Sequence, residues 1–231
     1  MPAAVRTLPI SAEHREFTVK VGGREVGREQ HLAGAYVTKA VNRIAAARLV
    51  YLDGSAAASD FALSNAATFV PGAEVEILAG DQANPVSIFK GVVMRQAIRV
   101  RENSASQLVI ECRHVASKLT VGAKNAFFFG EKDSDILSGL LSAASVNAQV
   151  EATSVSHPQQ VQFRCTDWDF LLARAEANGK LVFTNDGEVK VKAPVLSGQP
   201  VCTLTFGATV LELDAELEAR SQFGVRTREI A

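Results

Sequence analysis

Residues 88–113 read IFKGVVMRQAIRVRENSASQLVIECR. Two apolar-patterned arms flank Glu102-Asn103-Ser104, a turn-forming cluster, so the stretch reads as an antiparallel hairpin. In the second arm Leu108, Ile110 and Cys112 fall on one face, as a period of two requires. The first arm is long for a strand. Its alternation slips near Gly91 and again near Gln96, and a glycine inside a strand marks a bend or bulge of the kind that curls a sheet toward closure.

Working outward, Phe17, Val19 and Val21 alternate with Thr18 and Lys20 before Gly22-Gly23, a pair suited to a tight primed turn. Residues 47–52 end as a strand at Asp53-Gly54, and 36–46 stay open between helix and strand. Residues 56–59 read as a loop, Pro71-Gly72 as a turn and Glu74–Ile77 as a half-buried strand. Residues 133–144 change period: Ile136, Leu137, Leu140, Leu141 and Ala144 recur at helical spacing, with Asp133, Ser134 and Asp135 offering cap oxygens. After a short strand at Val161–Cys165, Thr166 and Asp169 stand at capping-box spacing ahead of an apolar stripe of Trp168, Leu171, Leu172 and Ala175, and Gly179 is placed as its stop. Residues 181–183 and 189–192 flank Asn185-Asp186-Gly187, a strong hairpin signal. Further strands are expected at 201–206 and 210–217. Many strands with two helices grouped in the middle predict a β-rich α+β fold, with antiparallel barrel domains and a two-helix α/β insertion, not a doubly wound sheet.

The 231 residues carry 24 Lys plus Arg against 25 Asp plus Glu, a net charge of -1. That balance argues against a dedicated nucleic-acid binder and against polybasic attachment to lipid. Hydrophobics at 47% with 21% charged residues argue for a folded chain. No run approaches the ~20 apolar residues of a membrane span, and no secretory signal is visible. Cys112, Cys165 and Cys202 are odd in number and widely spaced, which fits a reducing compartment.

The grammar of catalysis is mostly missing. No G-x-S-x-G, P-loop, dinucleotide fingerprint or zinc spacing occurs, so no catalytic residue, cofactor or metal is assigned. Cys112 and His114 share a strand face and form a conceivable thiol–imidazole pair; the plainer reading is a buried thiol. Asp167 and Asp169 flank Trp168, which suggests a sugar site or, more simply, helix-start acids beside a core indole. Phe127-Phe128-Phe129 fits either an exposed interaction loop or an aromatic core plug.

Taken in order, ARLVYLDGSAAASDFALS (47–64), FVPGAEVEIL (69–78), IFKGVVMRQAIRVR (88–101), LVIECRHVASKLT (108–120), CTDWDFLLARAEANGKLVFTNDGEVKV (165–191) and LTFGATVLELDAELEARSQFG (204–224) resemble the N-terminal hub region of VgrG and Rhs-associated Vgr spike proteins. The similarity is greatest to spikes of extracellular contractile injection systems, with the phage T4 hub more distant. The resemblance implies a non-enzymatic structural module. It implies a homotrimer whose β-barrel tube domains imitate a sixfold ring, adapting a hexameric, Hcp-like inner tube to a threefold spike. It divides the chain into a first tube domain with an N-terminal arm (1–130), a helical α+β middle segment (131–180) and the start of a second tube domain (181–231). Implied partners are other copies, the inner tube, baseplate components, and a downstream OB-like domain and β-helical spike, with neither nucleic acid nor a membrane anchor. The implied location is the bacterial cytoplasm during assembly and then a released particle. Family members continue beyond the matched stretch, so a chain stopping at Ala231 is either an N-terminal fragment or a split hub. Arg95, Arg99 and Arg101 are the candidates for a bore-facing wall; the alternative is a solvated hairpin face. Two alternative classes are a tail-associated cell-wall hydrolase and a glycan- or peptide-binding module.

Overall fold

The computed structural model describes residues 16–27, 29–55, 59–80, 85–195, 197, 203–207, 209–210 and 212–216. The chain divides into two units, His14–Leu196 and a second made of Met1–Glu13 with Ser197–Ala231.

Within the first unit, β1 (Glu16–Val21), β2 (Arg24–Glu25), β3 (Leu32–Thr38), β4 (Ala46–Leu52), β5 (Glu74–Gly80), β6 (Val86–Arg99) and β7 (Gln107–Arg113) form one antiparallel sheet in the order β2-β1-β5-β6-β7-β4-β3. Gly22 and Gly23 have φ of 55° and 78°, the left-handed pair that a primed hairpin turn demands. The sheet rolls around a single core. Val19, Leu49, Tyr51, Ile77, Phe89, Leu108, Ile110 and Cys112 are buried there, and Leu32, Ala35 and Val37 of the edge strand β3 pack against them. Each large side chain so buried stabilises the fold by about 1.5–3 kcal/mol. Helix α1 (Ala62–Asn65) and the 3-10 turn Ala67–Phe69 bring Phe69 onto Tyr51, ring centroids 5.3 Å apart.

Two expectations need correction. The sheet is not a closed barrel: among the described residues β2 and β3 are its two edges and do not pair with each other. The physical reason is visible at one edge, where β2 has only two paired residues and leaves most of β1 uncovered. A groove of about 530 Å³, lined by Phe17, Val26, Leu32, Tyr51 and Leu52, runs along this seam. The bends in β6 also fall elsewhere than Gly91 and Gln96. Ile77 faces Phe89 while Leu78 faces Ser87, so Ile88 is the extra residue; Val93 faces Cys112 while Arg95 faces Glu111, so Met94 is the second. Such bulges bend the strand and raise its twist, which lets one strand serve a curved sheet.

Gly91 has a different task. A Cβ there would collide with the Arg113 carbonyl and the Phe89 ring. Gly91→Ala is therefore expected to destabilise the chain by about 1–3 kcal/mol through overpacking, read from urea unfolding. An unchanged midpoint would show that β7 moves aside without cost.

The rest of the unit is a small α/β module. β8 (Lys124–Lys132) pairs with β10 (Ser156–Cys165) as a two-stranded ribbon, and β11 (Leu181–Asn185), β12 (Glu188–Lys192) and β9 (Asn147–Val150) form a second sheet in which β9 is parallel to β12. The hairpin of residues 181–192 thus sits on β9, its turn made by Asp186 and Gly187 at φ of 49° and 87°. Helices α2 (Asp133–Ala143) and α3 (Asp167–Ala177) share a core of Leu137, Leu141, Trp168, Leu171, Ala175, Val182 and Val191. The 39–45 turn stitches module to sheet. Asn42 N–H donates to the Val182 carbonyl, Val182 N–H donates to Asn42 Oδ1, and Ala45 N–H donates to Thr184 Oγ1, at 2.8–2.9 Å.

Of the strands expected at 201–206 and 210–217, residues 201, 202, 211 and 217 lie outside the described set. The described remainder forms no strand and carries only an isolated bridge, Phe206 to Val210. The loop expected at 56–59 lies outside the described residues except for Ser59.

Candidate assembly surfaces

Cys112, His114, Asp167 and Asp169, the residues that the sequence offered for chemistry, are placed within the packing and hydrogen bonding of the fold. Cys112 is buried among apolar strands, and burial pushes its thiol up to about 12, the reverse of an activated nucleophile. His114 is fully buried; its Nδ1 accepts from the Ala116 N–H at 3.1 Å and so caps the 3-10 turn Val115–Thr120. Burial holds its pKa down at about 4, with the Asp186 charge pulling it partly back up and Lys39 pushing it further down. Thr166 Oγ1 accepts from Asp169 N–H at 3.1 Å and donates to the Asp169 carboxylate at 2.7 Å, the helix-start arrangement that the spacing implied. Asp167 is buried and meets Lys124 at 2.5 Å and the Gln162 amide at 3.0 Å. Trp168 lies buried in the module core, between these two acids in sequence.

Asp133 departs from the capping role its position suggested. Lys132 holds the cap position of α2, and the carboxylate of Asp133 turns inward instead. Arg174 of α3 grips it with Nε to Oδ1 at 2.6 Å and Nη2 to Oδ2 at 2.7 Å. Asn178 Nδ2 donates to Oδ2 at 2.8 Å, and His157 Nε2 of β10 lies 2.9 Å from the same atom. Burial alone pushes this carboxyl's pKa up; the hydrogen bonds from Arg174, Asn178 and His157 outweigh it and hold the group at about 2. One acid thus ties α2, α3 and β10 together.

With these groups engaged inside, the remaining candidates are surfaces. On the sheet wall, residues directly opposite share a face. Leu108 and Ile110 point to the core, so their partners Ile98 and Gln96 share that face, whereas Arg95, Ala97 and Arg99 join Glu111, Val109 and Gln107 on the outer one. Arg95 Nε stands 3.8 Å from Glu111 Oε2, and Arg48 of β4 faces Glu111 from the other side, with Tyr36 of β3 beyond it. Arg99 is half-buried; Arg101 lies just past the end of β6, exposed, and both line a shallow hollow with Ser104 and Gln107. Arg95, Arg99 and Arg101 therefore belong to an outer wall and its rim, not to the core.

The second surface is the ribbon. Its alternation splits the triple phenylalanine, so each earlier reading holds for part of it. Phe128 turns inward and stacks on Phe170 of α3, centroids 5.7 Å apart. Phe127 and Phe129 turn outward, stacked on each other at 6.4 Å, and Val161 faces Phe127 across the pair. Phe163 joins them near the bulge where Arg164 takes a φ of 46°. Phe127, Phe129 and Phe163 are 61%, 65% and 72% exposed. Sequence reasoning offered the cluster without Phe163 or the β10 partner, because the register that brings them together spans more than 30 residues.

Among the described residues no helix is long and apolar enough to cross a membrane, and no group of His, Cys, Asp or Glu is placed to hold a metal ion. No curated protein matches the chain. Solved structures do. The 43 kDa tail protein of prophage MuSo2 from Shewanella oneidensis is 14% identical, with a TM-score of 0.58 over 77% of this chain and 53% of that one. A tail protein from Neisseria meningitidis MC58 is 17% identical, with a TM-score of 0.58 over 81% and 53%. The Escherichia coli c3393 protein, a type VI secretion component similar in structure to the phage T4 tail proteins gp27 and gp5, is 11% identical, with a TM-score of 0.54 over 75% and 48%. The chain therefore has the fold of tail proteins and spans about half the length of each. The description of one sequence family, the Alg8 N-terminal domain, matches residues 11–228, nearly the whole length. The chain belongs to the Alg8 N-terminal domain family.

Proposed function

We propose that this chain is a structural hub module of a contractile injection machine, assembling as a homotrimer that joins a hexameric inner tube to a trimeric spike. The observation that carries the reading is the fold: a rolled sheet with an appended α/β module, shared with phage tail and type VI secretion proteins over three quarters of the chain or more. The interior supports it, since Cys112, His114, Asp133 and Asp167 are all engaged in packing or pairing. A ring of such units needs walls and edges that meet copies. On this reading the outer wall of β6 and β7 lines a bore, with Arg95, Arg99 and Arg101 directed into it, and the inner-tube protein, baseplate components and spike stack at its ends. Assembly takes place in the bacterial cytoplasm before the particle leaves the cell. Mass photometry of the native gene product is expected to give three times the chain mass, and electron micrographs three lobes around a bore. A strictly monomeric product overturns the reading.

A further inference from the structure

We infer that the aromatic outer face of the β8–β10 ribbon is covered by a second copy of this chain. Phe127, Phe129, Val161 and Phe163 lie on one side of a two-stranded ribbon whose opposite side is already covered within its own chain, Phe128 stacking on Phe170. The ribbon is thus a layer packed on one side only, with both edges unpaired among the described residues.

The size of the face fits a contact between copies. With about 200 Å² for a whole Phe side chain, the exposed fractions leave roughly 450 Å² of apolar surface here. A second copy laying down an equal area would bury about 900 Å², and a polar rim would bring the total to the ~1,200 Å² at which specific interfaces begin. Gln159, directly opposite Phe129, and Arg164 are exposed beside the aromatic centre, polar groups at the margin of an apolar patch, which is the anatomy of such contacts.

The inference deepens the hub reading and rests on it in needing a second copy; it adds which face meets that copy. The test is sedimentation equilibrium of the full chain from about 1 to 100 µM, with a Phe127→Ser/Phe129→Ser double variant and a separate Phe163→Glu variant. All three positions are well exposed, so circular dichroism and melting temperature of the variants stay at wild-type values. Self-association of the wild type, weakened at least tenfold in both variants, supports the assignment. Self-association that is equally tight in the variants overturns it while leaving assembly through other surfaces intact. A wild type that stays monomeric at 100 µM overturns both this assignment and the trimeric hub.

Discussion

Asp133→Ala is expected to cost the folded chain about 3–5 kcal/mol, because it strands a guanidinium that the fold has taken out of water. The Asp133 side chain is 2% exposed and Arg174 19%. Their two short hydrogen bonds are joined by those from Asn178 and His157, so one deletion takes a hydrogen-bond partner from three side chains. For a domain of this size that loss is a fall in melting temperature on the order of 10 °C. Arg174→Ala should cost as much, since it leaves a buried carboxylate facing only amide and imidazole donors. The double variant Asp133→Ala/Arg174→Ala should lose distinctly less than the sum, because the second deletion removes the very group the first left unpaired. Urea unfolding of the four proteins closes the cycle. Strict additivity, or single losses below about 1 kcal/mol, would show that water reaches the site and that the pair is no more than a surface bridge.

That network also shows where sequence reading stops. Local signals were legible: Gly22-Gly23 and Asp186-Gly187 announce primed turns, Thr166 and Asp169 announce a helix start, and the 3.6 period marks α2 and α3. Each depends on atoms a few residues apart. The sheet order β2-β1-β5-β6-β7-β4-β3 does not, since alternation says which face a residue takes but not which strand lies beside it. For the same reason the barrel expectation was too strong: curvature is legible in a long, irregular strand, closure is not. Asp133 carried a local signal, acid at a helix start, and that signal was outcompeted by partners 24, 41 and 45 residues away. Arg174 and Asn178 gave no hint of their role, because on their own helix they look like ordinary polar positions. The Phe127–Phe129 run held both of its readings at once, as a strand must when three aromatics are consecutive and only one face is covered.

The second large effect is on acid stability, and it comes from His114. Its folded-state pKa, held at about 4 by burial, lies below the ordinary value of 6.5. Between those values the unfolded chain binds a proton that the folded chain refuses, so stability rises with pH across the window and is complete above it. Lowering the pH from 7 should therefore remove about 2 kcal/mol by pH 5 and about 3 kcal/mol by pH 4. Geometry gives the same direction. Nδ1 is used as an acceptor for the Ala116 N–H, which fixes the proton on Nε2; a second proton must displace that cap, against burial that the Asp186 charge offsets only in part. Asp133 adds its own loss, but only below its unfolded value of 3.8, as the pH falls toward about 2. The two contributions thus separate along the pH axis. His114→Asn keeps a side-chain oxygen able to cap the turn and removes the titration. Its unfolding free energy should change by less than about 1 kcal/mol between pH 7 and pH 5, where the wild type loses about twice that. Parallel pH profiles for the two proteins would assign the acid loss to other groups and remove His114 from the account.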